Sequence, residues 1–417
     1  MTDQPGVSRR RLLGVVGGAG AAGVAAGGAA GALTTSALES TAASATPLGS
    51  VGSSAVPFNG VHQAGITTPA QAVGHLAAFD LAAGADKSAT AALLRRWSTA
   101  AEAMMAGRAP ESDDQIALDA GPSSLTVTFG FGASLFPKVG LAPRVPKKLV
   151  PIPAFTSDAL DPALSGGDLW VQIGADDPLV AVHALRILRR QAAGTAQLRW
   201  QMNGFNRAPG ATPRPMTVRN LMGQIDGTNN PKLTDADFAQ TVFVPDTSGP
   251  EAWMNGGSYA VVRRIRMLLD PWDELTVAEQ EQVIGRRKAN GSPLSAPATT
   301  GTETTPANFL AFNEDGSLAI PGDAHIRVAT AQNNGGMSIL RRGFSYHDGY
   351  QADGSPNAGL LFVCWQADAS TGFIPLQVKL DGADHLTRFI RHESSAIFAV
   401  PGGTGHGEYV GQQLFEA

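Results

Sequence analysis

Residues 167–178 read GDLWVQIGADDP, and residues 359–370 read GLLFVCWQADAS. Each stretch is an apolar run of strand length that follows a glycine and ends in acidic residues. A glycine–aromatic segment precedes each of them: TFGFGASLF begins at residue 128, and LRRGFSYHD begins at residue 340. Two copies of one α+β unit would produce this order. The repeat favours a ferredoxin-like architecture with a pair of antiparallel sheets.

Strand and helix signals alternate around the two stretches. The strand candidates are residues 124–129, 168–173 and 259–267. Residues 177–190 carry apolar side chains at helical spacing, and Thr276 with Glu279 has the form of a capping box that opens a helix. Residues 289–307 are rich in Gly, Pro, Ser and Thr and are predicted to be a loop. The pattern predicts an α+β chain.

The first 45 residues have the form of an export signal. Ser8–Leu13 reads SRRRLL and resembles a twin-arginine signal, an uncharged Gly/Ala-rich stretch runs on to Leu38, and Ala43–Ala45 fits a cleavage site. A retained membrane anchor is the alternative, but Gly and Ala contribute little transfer free energy. We expect cleavage, no stable membrane span afterwards, and a secreted or extracytoplasmic location. Residues 46–56 are predicted to be a flexible leader.

Composition excludes several classes of protein. The chain is 43% hydrophobic and 16% charged, and its formal net charge of −5 argues against a nucleic-acid partner. The single cysteine, Cys364, excludes an intramolecular disulfide, a cysteine-built metal site and an iron–sulfur cluster. Its apolar surroundings predict a buried small side chain. The histidines form no HExxH or HxH motif, so the sequence does not support a histidine zinc site.

Three short segments carry polar residues suited to chemistry. GQIDGTNNP, residues 223–231, places Asp226 alone in a turn of glycines and amides. IPGDAHIRVA places His325 after a proline–glycine turn, and Arg341 and Arg342 open the segment RRGFSY. Read separately, Asp226 is an acidic residue in a surface turn, His325 is a structural histidine, and the two arginines lie at the solvent-exposed end of a strand.

In this order, the three segments resemble the dye-decolorizing peroxidase family. GLLFVCWQAD at residue 359 and SAIFAVPGG at residue 395 resemble that family's C-terminal strands. The resemblance covers nearly all of the chain after the signal. It implies two ferredoxin-like halves of the dimeric α/β-barrel type that enclose one haem b per chain. We therefore expect an N-terminal half at residues 57–222 and a C-terminal half with the haem-binding residues at 223–417.

The resemblance also implies a side chain for each face of the haem. His325 is the proximal iron ligand, and Asp384 accepts a hydrogen bond from its other ring nitrogen. Asp381 is the rival for that second place, and both acids have the alternative of merely starting a helix. Asp226 shuttles the peroxide proton, and Arg341 stabilises the departing negative charge.

Arg342 is the sequence neighbour with which Arg341 is most easily confused. In a strand the two side chains point to opposite faces, and the family pattern puts the functional arginine first. Further residues implied for the haem pocket are Gly227, Thr228, Asn229, Arg327, Leu360 and Phe362. Of these, Asn229 and Arg327 are expected near the haem propionates. Leu360 and Phe362 are expected to line the distal pocket, with core packing as their alternative role.

The function that follows is a haem peroxidase. It would reduce hydrogen peroxide through a ferryl intermediate and oxidise small or bulky aromatic reductants of phenolic or dye-like type. A haem-handling, deferrochelatase-like protein of extracytoplasmic iron uptake is the alternative. A structural secreted module is a third reading, and it predicts that the chain binds no haem.

Overall fold

The structure is a computed structural model that describes residues 48–209, residue 211 and residues 217–416. The predicted export signal, residues 1–45, lies outside the described residues. Within the described residues, no helix has the length and apolar character needed to cross a bilayer.

Strands and helices alternate along the described chain. The strands are β1 (Val73–Leu81), β2 (Thr126–Phe131), β3 (Leu169–Ala175), β4 (Ala196–Phe205), β5 (Ser258–Met267), β6 (Leu340–Arg341), β7 (Phe344–Tyr350), β8 (Pro356–Gln366), β9 (Ile390–His392) and β10 (Ala396–Val400). The helices are α1 (Lys87–Met105), α2 (Leu135–Lys138), α3 (Pro178–Gln191), α4 (Phe238–Val242), α5 (Leu269–Asp273), α6 (Val277–Ile284), α7 (His325–Ala329), α8 (Phe373–Ala383) and α9 (Gln412–Phe415).

The two halves of the chain repeat one strand order. The N-terminal half has the antiparallel order β4-β1-β3-β2, and the C-terminal half has the order β10-β5-β8-β7. If the four strands of each half are numbered along the chain, both orders are 4-1-3-2, which is the ferredoxin-like arrangement. The stretches at 167–178 and 359–370 form the third strands, β3 and β8. The predicted fold class is confirmed.

The two four-stranded sheets join edge to edge. Phe205 of β4 pairs with Ser345 of β7, and Phe131 of β2 pairs with Ala399 of β10. Both edges of each sheet are therefore used, and the eight strands close into a barrel that leaves no unpaired edge. Strands β6 and β9 continue the lines of β7 and β10 against β8 and β5.

The barrel interior is filled by side chains. Trp170 stacks on Phe398 with ring centroids 5.3 Å apart, and it approaches Trp365 at 5.9 Å. Other inward-facing residues of the same cluster are Leu76, Ala78, Trp200, Met202, Ala260, Val262, Phe344, Tyr346, Leu361, Val363 and Val400. Because buried side chains occupy this space, a cofactor must bind outside the barrel.

Helices cover the outer faces of the sheets. In the N-terminal half, α1 and α3 pack on the outward side chains of β1, β2 and β3. In the C-terminal half, α8 packs on Phe362 and Cys364 of β8, and Cys364 is buried as predicted. Local signals position these helices: Asp177 caps α3, and Thr276 with Glu279 forms the predicted capping box of α6.

The segment predicted to be a flexible leader differs from that prediction after residue 47. Leu48–Ser53 forms a 3₁₀ helix. The carbonyl oxygens of Gly52 and Ser54 accept hydrogen bonds from the backbone N–H groups of Ser123 and Ser124, at 3.0 and 2.6 Å. The Gly/Ser composition indicates flexibility only for an isolated chain. Here the backbone is ordered by donors from a loop about seventy residues away.

Close packing at the seam between the halves gives a testable prediction. A Cβ atom at Gly74 would lie 2.5 Å from the Phe344 ring, so Gly74→Ala forces the buried ring to move and should cost about 1–3 kcal/mol. The urea concentration at the midpoint of unfolding measures this loss of stability. Gly322→Ala is the control because a Cβ there meets no atom within 4 Å.

A double variant tests the cause of that loss. Phe344→Leu removes the ring atoms that the new methyl group meets, so Gly74→Ala should be less costly in that background. Equal costs in the two backgrounds would contradict the steric explanation.

Candidate active site

The turn that carries Asp226 is held by its own backbone. The Asp226 N–H donates to the Val218 carbonyl at 2.9 Å, and Ile225 forms a β-bridge with Arg219. Gly223 and Gly227 have φ values of +77° and +121°, which residues with a side chain rarely adopt. The two glycines of the predicted motif therefore allow the chain to turn sharply on either side of the acid.

Polar side chains outside the motif complete this turn. Asn220 accepts hydrogen bonds from the N–H groups of Met222 and Gln224, and its amide donates to Asp226 Oδ2 at 3.3 Å. The Arg219 guanidinium donates to three carbonyl oxygens, including that of Gly223 at 2.7 Å. Sequence reasoning did not identify either residue, although asparagine in a turn commonly bonds to nearby backbone.

Asp226 forms a salt bridge with Arg341. Arg341 Nη1 lies 2.5 Å from Asp226 Oδ1, and the two side chains are 31% and 23% exposed. Burial raises the pKa of the Asp226 carboxyl, but the Arg341 guanidinium outweighs burial and holds that pKa below its usual range. Asp226 is therefore an anion at neutral pH, paired to a fixed cation.

The two neighbouring arginines point to opposite faces, as the strand pattern predicts. Arg341 pairs with Cys364 in the sheet, and its side chain reaches Asp226. The Arg342 guanidinium donates to the carbonyl oxygens of Gly65 and Pro69, both at 2.9 Å. Arg341 is thus the member of the pair that joins Asp226.

Asn230 fixes the backbone of Arg341. Its side-chain amide donates to the Arg341 carbonyl at 2.7 Å, and its Oδ1 accepts from the Arg341 N–H at 3.1 Å. One amide side chain therefore ties the Asp226 turn to the strand that carries the arginine. Its place before Pro231 in an Asn-Asn-Pro segment indicates a turn residue, but it does not indicate the strand that the amide reaches.

His325 starts helix α7 and is held by Asp384. His325 Nδ1 lies 2.6 Å from Asp384 Oδ2, and the Asp384 side chain is 3% exposed. Burial lowers the pKa of the imidazole, but Asp384 outweighs burial and raises the pKa above the ordinary histidine value. An imidazole that donates through Nδ1 presents Nε2 as its free ligand atom when neutral.

Asp381, the rival carboxylate, has other partners. It accepts hydrogen bonds from the backbone N–H groups and the hydroxyl groups of Thr156 and Ser157. Asp384 also accepts from the N–H of Leu386 and so caps the 3₁₀ turn that follows it. Asp384 therefore both starts a turn and binds His325.

Asp226, Arg341 and His325 act on one another across a short gap. The charges of Asp226 and Arg341 both shift the pKa of His325, yet neither residue hydrogen-bonds to it. His325 Nε2 has no partner among the residues that the structure describes. Asp226 and Arg341 also line a cavity of about 40 Å³ with Leu360 and Phe362. One free imidazole nitrogen, an acid–arginine pair and apolar walls fit a haem with a single axial histidine.

The other predicted pocket residues have different surroundings. The Thr228 hydroxyl donates to Glu303 at 2.6 Å. Asn229 is exposed, and the Arg327 guanidinium donates to the carbonyl oxygens of Ile320 and Pro321. Neither Asn229 nor Arg327 lines the cavity shared by Asp226 and Arg341, whereas Gly227 does.

Two family models match this chain. The model described as "Dyp-type peroxidase, N-terminal" matches residues 63–206, and "Dyp-type peroxidase, C-terminal" matches residues 217–405. Together they span most of the sequence, and the second includes every residue of the site described above.

Named proteins and solved structures are similar to this chain over most of their length. A dye-decolorizing peroxidase of Thermobifida fusca is 45% identical over 85% of this chain and 84% of its own. A deferrochelatase of Escherichia coli K12 is 35% identical over 99% of this chain and 98% of its own. The structure of ferric DtpA from Streptomyces lividans is 60% identical, with a TM-score of 0.87 over 89% of this chain and 100% of its own.

Asp384 and its rival Asp381 provide a direct test of which carboxylate controls the charge of His325. Asp384→Asn removes the negative charge that raises the His325 pKa, so that pKa should fall in the cofactor-free protein. Nuclear magnetic resonance of the imidazole C–H groups measures it. Asp381→Asn is the matched control and should leave the His325 pKa unchanged; the reverse result would make Asp381 the partner.

Proposed function

We propose, because this chain belongs to the dye-decolorizing (DyP-type) peroxidase family, that its reaction takes place between His325 and the Asp226–Arg341 pair. The chain is a haem peroxidase. The observation that carries the residue assignment is the ion pair of Asp226 with Arg341 beside an imidazole whose Nε2 is free. The proposal has hydrogen peroxide as the oxidant and phenolic or dye-like molecules as electron donors.

His325 would hold the haem iron through Nε2. The haem, when bound, supplies the iron that exchanges electrons with peroxide and with the organic donors. Asp384 keeps the Nδ1 proton in a hydrogen bond and orients the ring. A buried anion at this place also makes the imidazole a stronger electron donor. The carboxylate would therefore act on the cofactor only through His325.

Asp226 would carry the peroxide proton. Cleavage of the O–O bond requires that one oxygen lose a proton and the other gain one. The ionised Asp226 carboxylate can accept the first proton and return it to the leaving oxygen. Its low pKa, caused by Arg341, means that it is ready to accept a proton at neutral pH.

Arg341 would stabilise negative charge on the peroxide. A guanidinium keeps its charge throughout the reaction and needs no proton transfer of its own. It is fixed in advance by the backbone contacts of Asn230 and by the salt bridge to Asp226. Preorganised charge of this kind lowers the barrier without reorganisation at the moment of reaction.

A second candidate function is haem handling. The relatives named deferrochelatase are 35–36% identical to this chain, and the matched region spans at least 85% of their length. In that case iron release or haem transport would matter more than turnover. The higher identity to the Thermobifida fusca peroxidase, 45%, favours the peroxidase reading. Incubation of the haem-loaded protein with and without peroxide, followed by measurement of free iron, distinguishes haem handling from peroxidase activity.

Export through the twin-arginine route is part of the proposal. Residues 8–13 and the Gly/Ala-rich stretch that follows support it. A protein that folds around a cofactor in the cytoplasm has a physical reason to use a route that carries folded proteins. The mature enzyme would then act outside the cytoplasm.

The reaction with peroxide should depend on both members of the ion pair. We expect Asp226→Asn to slow it by about 10²–10⁴-fold and Arg341→Leu by about 10²–10³-fold, because each removes one component of proton transfer or charge stabilisation. Stopped-flow absorption of the haem band measures the rate. Asp273→Asn, at an exposed carboxylate, is the control. Wild-type rates in both site variants would exclude the pair from the reaction.

The pH dependence should report the Asp226–Arg341 contact. The ionised base is present above its folded-state pKa, so the rate should fall only when the pH drops through that lowered pKa. Arg341→Leu raises the Asp226 pKa, and the acid limb of the profile should move to higher pH. Arg341→Lys retains the charge and should leave the limb near its original position. A limb that stays fixed in Arg341→Leu belongs to another group.

The signal can be tested on a reporter. Residues 1–45 fused to a folded reporter protein should carry it out of the cytoplasm. Replacement of Arg9 and Arg10 by lysine should retain the reporter, whereas Arg11→Lys should not. Fractionation of cells measures the distribution, and export of the double variant at the normal level would reject the twin-arginine route.

A further inference from the structure

We propose that Asn220 is a positioning residue for proton transfer: its side-chain amide holds Asp226 so that Oδ2 is the oxygen that takes the peroxide proton. The role of Asp226 itself rests on the peroxidase function proposed above. Two features of the turn lead to this inference. They are the different donors at the two oxygens of Asp226 and the hydrogen bonds that fix the Asn220 side chain.

The two oxygens of the Asp226 carboxylate have unequal donors. Oδ1 lies 2.5 Å from Nη1 of Arg341, which is a charged donor. Oδ2 accepts from the neutral amide of Asn220 at 3.3 Å, which is a long and therefore weak hydrogen bond. Each oxygen has further lone pairs, but the guanidinium draws electron density toward Oδ1. Oδ2 is therefore the more basic oxygen, and the proton goes there.

The contacts of Asn220 fix which end of its amide faces Asp226. The side-chain oxygen accepts hydrogen bonds from the backbone N–H groups of Met222 and Gln224, at 3.1 and 3.2 Å. Only the oxygen of an amide can accept from an N–H group. The NH₂ end of the side chain is therefore the end that donates to the carboxylate.

The turn that carries Asn220 is anchored to the buried core. The Asn220 N–H donates to the Gln224 carbonyl at 2.9 Å. Trp272 of α5 is fully buried, and its indole N–H donates to the Met222 carbonyl at 3.2 Å. These bonds fix the amide before the reaction begins, so it can hold the Asp226 carboxylate in one orientation.

Turn formation alone does not explain an asparagine at residue 220. Asp315, Asp353 and Asp368 each accept from the backbone N–H group two residues ahead. The side chain at residue 220 makes the same contact. An ionised aspartate is therefore sufficient for such a turn, but it cannot donate a hydrogen bond. Asparagine accepts from the turn and donates to Asp226 at the same time.

The charged groups near Asp226 act on other atoms. Arg341 binds Oδ1, and His325 acts on the carboxylate through its charge, without a hydrogen bond. The Arg219 guanidinium is held by backbone carbonyl oxygens, and Glu303 accepts from a threonine hydroxyl group. Among the residues that the structure describes, the side-chain donor to Oδ2 is the amide.

The amide also affects the pH range in which Asp226 is a base. Burial raises the pKa of Asp226, whereas Arg341 and, more weakly, the Asn220 amide lower it. Loss of the amide donor therefore raises this pKa. Because the ionised base is present above its pKa, the rate should then fall at a higher pH than in the wild type.

Asn220→Asp tests the donor separately from the turn. The new carboxylate still accepts from the N–H groups of Met222 and Gln224, but it places a second anion beside Oδ2. Two adjacent carboxylates share a proton, so the acid limb of the peroxide reaction should move to higher pH by about one pH unit. Asn220→Ala removes the donor without adding a charge, and it should move the limb in the same direction by less. Stopped-flow absorption across a pH series measures both.

Asn308→Asp is the matched control. Asn308 is exposed, and its side-chain oxygen accepts from the Leu310 N–H at 3.0 Å, the same contact two residues ahead. Its side chain binds no carboxylate among the described residues, so the acid limb should stay in place. Urea unfolding is measured alongside. If Asn220→Asp is less stable but its limb is unmoved, Asn220 only forms the turn, and the proposal is overturned.

Infrared absorption gives a second measurement without cofactor or turnover. The carboxyl band of the cofactor-free protein is titrated, and the same protein with Asp226→Asn is subtracted. The Asp226 signal should titrate at higher pH in Asn220→Asp and in Asn220→Ala than in the wild type. Equal titration in all three proteins would reject the role of Asn220.

The rate of Asp226→Asn separates this inference from the assignment of the site. If that variant reacts with peroxide at the wild-type rate, Asp226 is not the base, and both the site assignment and the role of Asn220 fail. If Asp226→Asn is slow while the Asp226 titration is unchanged in Asn220→Asp, the role of Asn220 alone is rejected.

Discussion

Closure of eight strands around a packed interior is the constraint on which the rest of this protein depends. Trp170, Trp365 and Phe398 fill the barrel, so the chemistry is confined to its outer face. The alternation of side chains along a strand then assigns every residue near the site. Arg341 points outward to Asp226, whereas Arg342 points the other way and donates to backbone carbonyls. Leu360 and Phe362 line the cavity beside Asp226 and Arg341 because their neighbours on β8 fill the core.

Charge at the site is organised in pairs on separate elements. Asp226 lies in a turn and Arg341 in a strand, while His325 starts a helix and Asp384 ends another. Arg341 opposes the effect of burial on Asp226 and holds that carboxyl ionised, and Asp384 opposes the effect of burial on His325 and makes the imidazole more basic. Such separation of roles by environment is what acid–base chemistry at a metal cofactor requires.

Much of the fold was predictable because the deciding signals are local. The internal repeat predicts the two third strands, and a capping box at Thr276 or a helix cap at Asp177 needs only a few neighbouring residues. The leader at residues 46–56 was predicted to be flexible from its composition, which does not reveal the distant hydrogen-bonding partners of Gly52 and Ser54. Asn230 was missed for the same reason: its two hydrogen bonds reach a strand that lies 111 residues later.

The amino-acid sequence by itself determined the fold class, the family and the identity of the site residues His325, Asp226 and Arg341 as candidates. It favoured Asp384 over its rival Asp381 only through the family resemblance, because a three-residue separation on a helix end does not specify the direction of a side chain. Only the tertiary structure brought Asp384 to the imidazole and gave Asp381 to Thr156 and Ser157. A hydrogen bond depends on position within a few tenths of an ångström, and such positions exist only after the two halves have packed.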